Sequence, residues 1–221
     1  MALLYIILVL GTLYVSGKLI LTRFFAFKGV EGLLWHLFFG LFVWAILISA
    51  LGFCGYLRLE ILISLGSVIL LYSIFCWYRQ GFPLPAFSGP NRALVLKLTP
   101  IIFFVGPIFC CAFIPELFYD ALYYHLGLPH QYFLHEQIIT LPSVLHTAFP
   151  AYLSLFLGTL FEIGGTSLTK LFVATTYMAV FGGMFCLAEK YPHVEKDNLS
   201  CLAGIVLLSA PALAFMATMT S

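Results

Sequence analysis

Charged side chains are scarce in this chain. Asp, Glu, Lys and Arg make up 9% of its 221 residues, against 62% hydrophobic ones, and mean hydropathy is +1.07. A soluble domain of this length cannot hide so much apolar surface, so the class expected is an integral membrane protein. The formal net charge of +1 gives nucleic acid no basic surface to bind. The six cysteines (Cys54, Cys76, Cys110, Cys111, Cys186, Cys201) make no CxxC pair and no metal-finger spacing. All lie in or beside apolar runs and read as small packing residues. A Gly-rich phosphate loop, a nucleophile elbow, an HExxH motif, a low-complexity tract and an internal repeat are likewise absent. No basic stretch precedes the first apolar run, and Val15-Ser-Gly-Lys18 is a poor cleavage site, so no cleavable signal peptide is expected.

What the chain does have is long apolar runs. A helix needs about 20 apolar residues to cross the hydrocarbon core. By that measure seven spans are expected, roughly 2–22, 32–55, 59–78, 98–116, 149–164, 168–188 and 199–219. The fifth is short, closed early by Glu162 and Gly164-Gly165. Barrel strands are excluded, because the runs are too long and do not alternate polar with apolar residues. The fold class expected is therefore all-α: a polytopic helical membrane protein with six or seven transmembrane helices and two short juxtamembrane helices in an external loop. The breaker-rich stretch 81–97 reads as a cytoplasmic linker between a three-helix bundle, 1–80, and a second membrane portion, 98–221.

Loop charges set the orientation. Lys18, Arg23, Lys28, Arg79, Arg92 and Lys97 flank loops of one side, and Lys170 joins them if the fifth segment spans. The other side receives Arg58, Lys190 and Lys196, offset by Glu60, Glu189, Glu195 and Asp197. The first group belongs in the cytoplasm of a plasma (inner) membrane. The N-terminus and the loop 115–148 then face the periplasm or exterior, and Glu162 falls near the cytoplasmic end of its span. His36, inside the second span, is expected to be hydrogen-bonded within the bundle.

The stretch Pro115-Glu-Leu-Phe-Tyr-Asp-Ala-Leu-Tyr-Tyr-His-Leu-Gly-Leu-Pro129 sets two carboxylates and a histidine directly after an apolar run. Lipid penalises such groups by a few kcal/mol each, so they belong at the water boundary. Pro115 suits a helix start, and Gly127 with Pro129 its end. Glu116, Asp120 and Tyr124 recur every four residues and would share a face. A second helix, about 130–140, would carry His130, Tyr132, His135 and Glu136 until Pro142 stops it. Tyr119, Tyr123, Tyr124 and Tyr132 also fit an aromatic belt at headgroup level, and the histidines fit solvated interface positions. The spacing His125, His130, His135, His146 matches no standard zinc signature. Asp120 stands out because no Lys or Arg occurs between Lys97 and Lys170 to pair with it.

Tyr119-Asp-Ala-Leu-Tyr-Tyr-His-Leu-Gly-Leu-Pro129, with Tyr132 and Thr147-Ala-Phe-Pro150, resembles the first external loop of bacterial GT-C superfamily membrane glycosyltransferases. The similarity is to the branch of protein O-mannosyltransferases and the aminoarabinose lipid A transferase. Glu31-Gly-Leu-Leu-Trp-His-Leu-Phe-Phe-Gly40 is similar to leading spans of that family. The resemblance implies inverting transfer of a sugar from a polyprenyl-phosphate donor to an acceptor on the outer face. Asp120 would be the general base, with Glu116, Tyr124 and His125 as substrate contacts. The departing phosphate needs positive charge that the external helices lack. The resemblance therefore implies a divalent metal, with Asp120, Glu116 and His146 as candidate ligands, or basic residues of a longer chain continuing past Ser221. A non-enzymatic multi-pass subunit of envelope polysaccharide assembly and a secondary transporter are the alternative readings.

Overall fold

The computed structural model describes residues 1–25, 29–79, 110, 113–114, 121–140 and 152–190. The linker 81–97, most of the fourth span and all of the seventh lie outside this set. Among the described residues the architecture is all-helical, with no strand. The elements are α1 (Ala2–Leu21), α2 (Gly29–Phe53), α3 (Leu59–Arg79), a π-helix (Ala121–Gly127), α4 (Leu128–Leu134) and α5 (Tyr152–Lys190). Ala2–Leu21 and Gly32–Phe53 are long and apolar enough to cross a membrane, and Leu59–Phe75 is a shorter apolar helix.

The α1–α2 pair is built on two glycines. A Cβ at Gly17 would fall 1.9 Å from the carbonyl oxygen of His36, and one at Gly40 1.9 Å from that of Leu13. Backbone therefore lies on backbone, the close approach that small residues permit where lipid supplies no hydrophobic drive for association. Beside this contact the Trp44 indole Nε1 donates to Ser16 Oγ at 2.9 Å.

Helix α2 ends in a Schellman turn. Gly55 takes the left-handed conformation (φ 76°), Tyr56 N bonds Leu51 O at 2.8 Å and Gly55 N bonds Gly52 O at 3.4 Å. This turn is tied to the segment after α4. Leu57 N donates to Glu136 O (2.8 Å), Ile138 N to Gly52 O (2.9 Å), and Arg58 Nε to Glu136 Oε2 (2.7 Å). Two segments that the charge count assigns to one side of the membrane thus pair directly.

Helix α5 is broken at Gly164 (φ −146°, ψ 15°) and Gly165 (φ 69°, ψ −169°). The second pair of angles is accessible essentially to glycine alone. At the break the chain doubles back: Thr169 Oγ1 lies 3.5 Å from Leu157 O, and the Phe156 and Phe172 rings are 5.1 Å apart. In a straight helix Leu157 and Thr169 would be about 18 Å apart. The fifth and sixth expected segments are accordingly two helices, 152–163 and 166–190. The described part of the first arm is about 18 Å long. Ile6, Leu13, Trp44, Ile48, Leu57, Leu62, Tyr132, Leu155, Phe156, Leu160, Leu168 and Phe172 form one buried cluster in which both arms meet α1, α2 and α3.

The external segment departs from its expected boundaries. Gly127 is helical (φ −67°, ψ −46°), and Pro129 sits in the first turn of α4. The π-helix and α4 are continuous, and the helix stops at His135–Glu136, where Glu136 takes φ 57°. Position 124 lies in the π turn, and the expected shared face of Glu116, Asp120 and Tyr124 falls on residues 116 and 120 outside the described set.

Candidate functional site

The polar groups of the external segment meet the first arm of α5. Ser154, Gly158 and Glu162 recur every four residues along that arm and form one stripe. Opposite them lie His125, Pro129 and His130. His125 Nδ1 and Ser154 Oγ are 2.8 Å apart. Gly158 admits Pro129, whose Cβ would be 2.2 Å from a Cβ at that position. One turn further, His130 Nδ1 and Glu162 Oε1 are 2.6 Å apart. On an α-helical wheel His125 and His130 would point about 140° apart. The wider π turn before α4 offsets part of that angle, and both imidazoles reach the same arm.

Glu162 is thus not at the far end from the 115–148 loop. It bonds a histidine of that loop, because the first arm ends beside α4 and the chain reverses there. Lys170 moves with it. Its side chain is 4% exposed, and Nζ donates to the carbonyl of Ile114 at 3.0 Å. Ile114 immediately precedes Pro115, so folding brings an ammonium group to the start of a segment that has no cation of its own. The charge count put Glu162 near the cytoplasmic end of its span, and Lys170 on that side only if the fifth segment spans. The Ser154, Gly158, Glu162 repeat was the available signal in the sequence.

Of the residues expected at the site, His125 is placed as described. Asp120, Glu116 and His146 lie outside the described residues, as does the Tyr124 side chain. Among the described residues no three His, Cys, Asp or Glu side chains converge on a point that could hold a metal ion. Tyr132 is not a headgroup-level belt residue: it is 7% exposed in the core, and burial pushes its phenol above the ordinary value. Tyr123 remains exposed. His36 is 5% exposed, edge-on to Tyr14 at 5.4 Å, and neither ring nitrogen has a hydrogen-bond partner among the described residues. Its backbone is pressed against Gly17, which leaves no room for a donor from α1 at that level.

The arrangement offers two oriented imidazoles, a hydroxyl and a carboxylate along the first arm of the helical hairpin, with a buried ammonium on the second arm. Such a set can bind hydroxyls, exchange protons and balance an anion. Compared with family models, curated proteins and solved structures, the chain matches none.

Proposed function

We propose that this chain is a membrane glycosyltransferase, or a portion of one. It would transfer a sugar from a polyprenyl-phosphate donor to an acceptor at the outer face of a plasma membrane, with inversion. Asp120 is the general base that takes the acceptor's hydroxyl proton as its oxygen attacks the sugar, while the glycosidic electron pair leaves with the lipid phosphate. The observation that carries this reading is the position of Lys170. A leaving phosphate needs positive charge, and the Lys170 ammonium, which donates to Ile114 O one residue before Pro115, is the candidate for it. Six or seven spans, with 115–148 outside, belong to the same reading.

The test is transfer of labelled sugar from a polyprenyl-phosphate donor in membranes carrying the full natural protein. Base catalysis is worth about 10²–10⁴-fold, so Asp120→Asn should lose at least that much while still inserting and binding donor. Lys170→Met should lose activity strongly, whereas Lys170→Arg should retain part of it. Loss of transfer on chelation would move the phosphate role to a divalent metal ion. Near-normal turnover in Asp120→Asn would end the base assignment. The break in α5 is the one feature that favours the secondary-transporter reading, since coupled transporters build sites at discontinuous helices. Proton-coupled uptake by reconstituted vesicles without sugar transfer would establish that reading instead.

A further inference from the structure

We infer that His130 binds a sugar hydroxyl at this end of the bundle, and that Glu162 is the positioning residue that makes it able to do so. The inference rests on the sugar-transfer reading above. A carboxylate can only accept, so the 2.6 Å contact with Glu162 Oε1 places a hydrogen on Nδ1. In the neutral ring the lone pair then lies on Nε2. Nε2 has no partner among the described residues, and the side chain is 42% exposed.

The ring is also held. Phe161 stands edge-on to it at 6.3 Å with an interplanar angle of 86°. The preceding residue, Pro129, is pressed into the notch at Gly158. A tie between two helices would need only the Nδ1 bond. Here the geometry additionally fixes the direction and tautomer of an acceptor on a partly exposed side chain, the preorganisation that a hydroxyl-binding site requires. The hydroxyl can belong to the transferred sugar or to a hydroxylated acceptor; the chemistry at Nε2 is the same.

Two substitutions separate binding from bracing. His130→Ala removes the acceptor. Glu162→Gln keeps a hydrogen bond to Nδ1, but its amide can donate, which releases the ring to the Nε2–H tautomer. In the transfer assay both variants should raise KM about tenfold, the size of one hydrogen bond, with kcat little changed. A rise confined to donor KM places the hydroxyl on the transferred sugar, and a rise confined to acceptor KM places it on the acceptor. Nitrogen-15 histidine spectra of the wild-type protein should show the Nδ1–H form at His130. That signal should move when an alkyl glycoside is added and stay put with the matching alkanol, and Glu162→Gln should convert it to the Nε2–H form. An Nε2–H ring in the wild type, no glycoside response, or unchanged KM values for both substrates in Glu162→Gln would each overturn the assignment. Absence of transfer by the wild type would defeat the glycosyltransferase reading alone, because the glycoside response of His130 is read without turnover.

Discussion

Pro129 fills the space that a side chain at residue 158 would need; a Cβ on Gly158 would fall 2.2 Å from the Pro129 Cβ. This notch sets the distance between α4 and the first arm of α5, and so the reach of His125 to Ser154 and of His130 to Glu162. Gly158→Ala should force the two elements apart at a cost of about 1–3 kcal/mol, the usual range for overpacking. In detergent the melting temperature should fall by roughly 2–4 °C per kcal/mol. Gly66→Ala is the control, since its added Cβ would meet Thr12 and Trp44 at an ordinary 3.8 Å. Equal melting temperatures for both variants would show that the notch is not needed.

The contact between α1 and α2 is less forgiving, because the obstructing atoms are backbone. Gly17→Ala and Gly40→Ala each put a methyl group 1.9 Å from a carbonyl oxygen that cannot rotate away. Each should cost at least as much as Gly158→Ala. The double variant should cost less than the sum, since the first separation of the helices already makes room for the second methyl. Strict additivity, measured by thermal unfolding in micelles, would argue against a shared interface.

His36 gives the opposite expectation. Both of its ring nitrogens are buried without a partner among the described residues, and such a group costs about 1–3 kcal/mol compared with a satisfied one. His36→Leu should therefore leave the bundle as stable or raise its melting temperature, despite lying in the principal helix interface. A large loss of stability would mean that the imidazole has a partner in the native membrane, and would make His36 a functional candidate.

Composition alone made the helical class legible, and run length located α1, α2 and α3 within a few residues. The helical hairpin of α5 was legible in outline, because Gly164-Gly165 is a strong breaker and the apolar runs on either side were read as separate segments. Its contacts were not: neither run length nor charge count shows that Glu162 bonds His130 or that Lys170 reaches the carbonyl of Ile114. The π turn was illegible for a different reason: one residue of extra winding has no compositional mark, yet it changes which side chains of 121–130 share a face. Tyr132 was read as a headgroup residue because tyrosine is common there, whereas packing against the 155–160 face decided its burial.

Tyr132 supplies a prediction at alkaline pH. Burial raises its phenol above the ordinary value of 10.0, so the unfolded chain loses this proton at lower pH than the folded one does. The contribution is fully present below about pH 10 and is lost as pH rises from there through the raised folded value. Wild-type protein should accordingly lose melting temperature between pH 9 and 11 more steeply than Tyr132→Phe, which has no proton to lose (about one unit on either side of the ordinary phenol value). At pH 8 (well below it) the two should differ only by the effect of removing the hydroxyl. Because the other tyrosines are common to both proteins, the difference between the two slopes isolates this residue. Parallel alkaline slopes would show that the phenol is hydrated in the folded protein, and would place α4 farther from the 155–160 face than the buried cluster requires.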